Sequence, residues 1–143
     1  MALTEKERDY FEGVSIDMSV VSAALTLNKL SEFLSRYYKK KVLIFLDEYD
    51  TPMQEAWIHG YWEEMVSLIR SLFNSTFKTN PYLERAILTG ITRVSKESIF
   101  SDLNNLRIVT VTSELYADAF GFSESEVFEA MEEQGLLTVR NNL

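Results

Sequence analysis

The sequence predicts an α/β fold built on a mostly parallel sheet with helices packed against it. Two observations carry this reading. Val42-Leu43-Ile44-Phe45-Leu46 is an apolar run without alternation, the pattern of a strand buried on both faces. Around it lie stretches whose apolar residues recur at three- and four-residue spacing, the period of a helix with one buried face. Strands that alternate with helices in this way build parallel sheets, because a parallel connection needs a crossover.

The elements follow in order. Residues 1–17 are polar and irregular, with a short helix expected around Glu5–Phe11. From about Met18 to Lys39, Leu27, Leu30, Leu34, Tyr37 and Tyr38 share one helical face. Lys39, Lys40 and Lys41 suit the negative end of that helix. The strand Val42–Leu46 ends at Asp47-Glu48-Tyr49-Asp50-Thr51-Pro52. A second helix is expected from about Tyr61 to Phe77, with Trp62, Met65, Val66, Ile69, Leu72 and Phe73 on one side. Asn80-Pro81 marks a loop. A second strand is expected over Arg85–Thr89, followed by Gly90-Ile91-Thr92-Arg93, and a third over about Arg107–Val111. Ser123 and Glu126 form a capping box, so a helix starts there and runs to about Gln134, stopping at Gly135. The expected organisation is a single domain: an N-terminal segment 1–17, an α/β core 18–135 and a tail 136–143.

The chain has 143 residues, 46% of them hydrophobic and 13% aromatic, which suits a packed core rather than a disordered segment. Its net charge of -8 is a poor match for nucleic-acid phosphates or an anionic membrane face. With no cysteine there is no disulfide, thiolate or cysteine-zinc chemistry. Met1-Ala2-Leu3-Thr4 leads straight into charged residues, so no signal peptide is visible. No run approaches the roughly 18 apolar residues of a membrane span. A soluble, cytoplasmic protein is expected.

The chemistry concentrates at Asp47-Glu48, directly after the apolar strand. Ligands of open α/β sheets bind outside the carboxyl ends of the strands. A carboxylate there can hold magnesium through its water shell, and the next one can polarise a water for attack on a phosphoryl group. Apolar residues followed by Asp-Glu form the Walker-B pattern of many ATPases. The plainer alternative is that Asp47 caps the turn and Glu48 is solvated. Thr89 and Arg93 follow the second strand, where a polar residue can sense a terminal phosphate and an arginine can neutralise transition-state charge. A turn threonine and a solvated arginine are the ordinary alternatives. Asp50 either helps Asp47 bind metal or fixes the turn before Pro52. His59 is the single histidine and reads as a loop residue. The partner motif G-x-x-x-x-G-K-[ST] is absent, because none of Gly13, Gly60, Gly90, Gly121 and Gly135 precedes a lysine.

These residues resemble a known family. Val42 to Pro52 is similar to the Walker-B signature of the bacterial AAA-ATPase-like family, whose members often carry a C-terminal PD-(D/E)XK nuclease-like domain. The resemblance continues through Gly60-Tyr61-Trp62-Glu63-Glu64-Met65 and Tyr82 to Ile91. It extends through Arg93 to Phe100, Leu103-Asn104-Asn105-Leu106, Tyr116 and Phe120-Gly121-Phe122-Ser123. It covers roughly Leu25 to Gly135. Asp102 stands where the family usually has glycine, and Thr92 where an apolar residue is common.

The resemblance implies the Walker-B half of a P-loop NTPase-like sheet, lacking the Walker-A strand and loop. Asp47 would hold magnesium, Glu48 would take part in nucleotide binding and activate water, and Thr89 would be the neighbouring-strand sensor. Arg93 would contact phosphate. ATP and Mg2+ would serve the intact family protein, with nucleic acid a partner only through the nuclease-like part. The alternative is a truncated or stand-alone interaction module that keeps the fold without turnover. Without its middle strand, such a sheet has open edges near Ile87, Leu88, Ile108 and Val109. Self-association or direct pairing of those strands is the expected repair.

Overall fold

The computed structural model describes residues 3–91, 99–100, 103, 106–117, 119 and 121–136. The backbone divides into two compact units, Met1–Leu106 and Arg107–Leu143.

The first unit holds helix α1 (Glu5–Glu12), helix α2 (Val20–Tyr38), strand β1 (Val42–Leu46), helix α3 (Thr51–His59), helix α4 (Trp62–Phe73) and strand β2 (Leu83–Leu88). The strands pair in parallel, Leu43 beside Arg85 through Leu46 beside Leu88. The register shifts between Val42 and Leu43, leaving Glu84 as the extra residue, so Glu84 and Arg85 are both exposed. The α/β class with a parallel sheet is thus the observed one.

Local sequence explains most boundaries. Ser19 caps α2 by accepting the Ser22 N–H at 3.1 Å. Lys39 ends α2 in the left-handed region, φ 57°. The sequence reading missed α3 and treated Asp50-Thr51-Pro52 as a turn. Pro52 sits in the first turn of α3, where its missing N–H costs nothing, and Gly60 ends the helix at φ 80°. The helix expected over Tyr61–Phe77 is α4 followed by a π-helical turn, Asn74–Lys78. That turn is pinned to α2: Ser75 Oγ donates to the Ala24 carbonyl at 2.5 Å, and Asn28 Nδ2 donates to the Ser75 carbonyl at 2.8 Å.

The core is Met53, Val66, Ile69, Phe73 and Ile99, with Leu46, Tyr49, Leu88 and Phe100 packed against it. One expectation for β1 fails here. It is half-buried on one face and exposed on the other, where Leu43 and Phe45 are 58% and 70% exposed. Among the described residues the sheet has two strands, and Leu46 and Leu88 pack against the core. Ile87 is exposed with Phe45, its neighbour in register.

The N-terminal helix is tied down by charge. Arg36 Nη1 lies 2.5 Å from Glu7 Oε1, and Glu7 also accepts the Thr4 N–H at 2.8 Å. The Arg36 hydrogen bond, then the Thr4 amide, hold the Glu7 carboxyl down at about 2 from its ordinary 4.5. A depressed carboxylate stabilises the fold above its unfolded pKa and loses that contribution as pH falls through the folded one. Acid should therefore release α1 between about pH 4.5 and 2. In Arg36→Met the Glu7 titration, followed by carboxyl NMR, should return toward the ordinary range. An unmoved titration would refute the tether.

The second unit contains helix α5 (Glu124–Glu133). Ser123 and Glu126 close the expected capping box, and both Ser123 contacts lower the Glu126 carboxyl pKa. Helix α5 ends close to its predicted stop, with Gly135 at φ 66°. The third strand expected over Arg107–Val111 is not formed. Thr110 N donates to Ser113 Oγ and Ser113 N donates to the Thr110 carbonyl, both at 2.9 Å. Hydroxyl-closed turns of this kind compete with a strand ladder. Ile108 and Val109 are exposed beside that turn.

Candidate functional site

The parallel ladder brings the two predicted strand ends together. Thr89 N–H donates to the Leu46 carbonyl at 2.9 Å, and Tyr49 N–H donates to the Thr89 carbonyl at 3.0 Å. The pairing thus continues one step past both strands. It sets Asp47 beside Thr89, and the Thr89 hydroxyl donates to Asp47 Oδ1. Two residues singled out separately, 42 positions apart, meet in one hydrogen bond.

Asp47 Oδ1 also accepts the Glu48 N–H at 3.1 Å. Asp47 Oδ2 accepts no hydrogen bond among the described residues, and Asp47 and Glu48 are both exposed. Glu48 sits in the left-handed region at φ 51°, which costs an L-residue about 1–2 kcal/mol. Such strain is common where a turn must aim side chains for function. Among the described residues no three His, Cys, Asp or Glu side chains gather as a metal cage. Magnesium keeps most of its waters and takes one or two carboxylates plus phosphate oxygens, so it needs no such cage. Asp47, a solvent-facing carboxylate at a strand end, fits such an ion.

The remaining candidates divide. Arg93, with Thr92 and Asp102, lies outside the described residues. His59 is exposed at the end of α3, 3.4 Å from Glu55 and stacked on Tyr61. Asp50 is buried, at 1% exposure. Its carboxylate accepts from Gln54 Nε2 at 3.1 Å, and its carbonyl accepts the Met53 and Gln54 amides that begin α3. Sequence reasoning did not single out Gly90. A Cβ there would lie 2.6 Å from Asp50 Oδ1 and 2.8 Å from Tyr49 Cε1, so only glycine fits. The signal was present as a glycine directly after a strand.

The family of predicted AAA-ATPases, the AAA-ATPase-like family, matches residues 2–100. The chain belongs to the AAA-ATPase-like family. The matched span contains β1, β2 and every strand-end residue described above. This AAA-ATPase-like chain is also 30% identical, over 89 residues, to an Azotobacter chroococcum mcd 1 protein described as "Uncharacterized protein in vnfD 5'region". The match takes in 62% of the chain but 17% of that relative. No solved structure matches. No described helix is long and apolar enough to cross a membrane.

Proposed function

We propose that this chain supplies the Walker-B and sensor side of an ATP site. In this reading Asp47 holds magnesium, Glu48 activates the attacking water and Thr89 senses the terminal phosphate from the neighbouring strand. The Thr89–Asp47 hydrogen bond at the carboxyl ends of adjacent parallel strands is the observation that carries it. Magnesium, when bound, neutralises charge on the phosphates. The chain's own residues place one carboxylate on that ion, ordered by Thr89, and keep a second for the water. Arg93 belongs to the same proposal as a phosphate contact.

The phosphate cradle must come from sequence that this chain does not contain, since no glycine here precedes a lysine. The isolated chain should therefore hydrolyse ATP no faster than its Asp47→Asn variant. A chain extended upstream through a phosphate-binding loop should turn over, and lose turnover on Asp47→Asn. Hydrolysis by the isolated chain that vanishes in Asp47→Asn would overturn the division of labour. Action on nucleic acid through a nuclease-like domain follows only from the company that family members keep.

A second reading is favoured by the uncovered sheet face. Leu43, Phe45 and Ile87 are exposed, and among the described residues each strand has one unpaired edge; such edges invite added strands. The chain would then be an interaction module that self-associates through this face. Sedimentation as a monomer at all concentrations would remove this reading.

A further inference from the structure

We propose that Asp50 is a positioning residue that locks the turn after β1 to the turn after β2 through Gly90. The proposal rests on the reading of Asp47, Glu48 and Thr89 as the metal-facing side of the site.

Asp50 does not behave as an ordinary helix cap. A capping aspartate is usually solvated and accepts an amide of the first turn with its side chain. Asp50 stands at the N-cap of α3 but makes no side-chain cap hydrogen bond, and it is among the most deeply buried side chains. A buried carboxylate is costly unless its oxygens are engaged. One oxygen takes the Gln54 amide, which fixes the carboxylate on α3.

The other oxygen, Oδ1, lies where a side chain at position 90 would begin. The Gly90 backbone therefore rests on the Asp50 carboxylate and the Tyr49 ring. Tyr49 is fixed in turn, edge-on to Phe73 and Phe100 at 6.3 and 5.3 Å between ring centroids. Its N–H holds the Thr89 carbonyl. Asp50 and Tyr49 thus form the floor under Thr89-Gly90, and the height of that floor sets where the Thr89 hydroxyl meets Asp47. Second-layer groups that orient a metal ligand commonly change metal affinity by about 10–100-fold when removed.

The test uses the full chain in two arms. In the metal-free chain, NMR reads the protection of the Thr89 hydroxyl proton and the Thr89 and Glu48 amide shifts. Asp50→Ala and Gly90→Ala should each lose the protected hydroxyl, while the isosteric Asp50→Asn should keep it. Slow amide exchange at Val66, Ile69 and Phe73 reports that each variant is folded. If Gly90→Ala does not fold, the double variant Asp50→Ala/Gly90→Ala decides. Removing the carboxylate relieves the closest contact of the added methyl and leaves the one with the Tyr49 ring, so the pair should be partly non-additive. Retention of the hydroxyl signal in Asp50→Ala, or additivity of the pair, would overturn the proposal. The second arm titrates Mn2+ as the probe. Broadening centred on Asp47, lost in Asp47→Asn and weakened about tenfold or more in Asp50→Ala, supports both readings. Broadening lost in Asp47→Asn but unchanged in Asp50→Ala overturns the positioning role alone. Broadening indifferent to Asp47→Asn sinks the metal reading, and the first arm still decides whether Asp50 sets the turn.

Discussion

In a chain extended upstream through a phosphate-binding loop, Glu48→Gln should retain ATP and lose about 10²–10⁴-fold in hydrolysis rate, the usual contribution of a positioned general base. Asp47 cannot easily serve as that base. Its Oδ1 already accepts from Thr89 and from the Glu48 amide, and its remaining oxygen is the one suited to magnesium. Glu48 is exposed and makes no side-chain hydrogen bond or ion pair among the described residues. Asp47→Asn should fail differently, weakening magnesium-dependent nucleotide binding as well as turnover. The backbone offers an internal control. Position 48 is at φ 51°, so Glu48→Gly should be as inactive as Glu48→Ala yet more stable by about 1 kcal/mol. Nucleotide affinity by calorimetry, phosphate release and thermal unfolding separate these outcomes. Normal hydrolysis by both Glu48→Gln and Asp47→Asn would make the acidic pair structural and the Walker-B reading wrong.

The strand ends were legible because they depend on local pattern. An apolar run followed by Asp47-Glu48 places those carboxylates at a strand end whatever the rest of the chain does. The Ser123–Glu126 capping box marked the start of α5 for the same reason. Features that depend on neighbours were not legible. The apolar pattern suggested that β1 is buried on both faces, but burial needs a second covering layer, and Phe45 is 70% exposed. A strand was expected over Arg107–Val111, but a turn closed by Thr110 and Ser113 competes there. Helix α3 was missed although Thr51-Pro52 opens it and Gly60 closes it. Its apolar positions are too few to set a clear period. The burial of Asp50 against Gly90 joins residues 40 positions apart, and no local rule reveals it.

Phe73→Ala and Phe45→Ala should differ sharply in their effect on stability. Phe73 is 1% exposed at the end of α4, and its ring meets Tyr49, Phe77 and Phe100 at 6.3, 5.3 and 5.8 Å. Truncating it removes a large apolar surface and leaves a cavity that the surrounding rings can only partly fill, a loss of about 3–5 kcal/mol. A small domain has only about 5–15 kcal/mol in total, so the variant should sit near the edge of folding. The damage should also reach the site, because Tyr49 leans on Phe73 and holds the Thr89 carbonyl. Phe45 lies within β1, where the sequence pattern predicts the opposite result. At 70% exposure, its truncation should change monomer stability by no more than about 0.5 kcal/mol. If the uncovered face mediates self-association, Phe45→Ala should instead weaken the dimer, so unfolding must be measured at several concentrations. Equal losses for the two variants in dilute, monomeric samples would show that β1 is covered on both faces, and the one-sided sheet described above would be wrong.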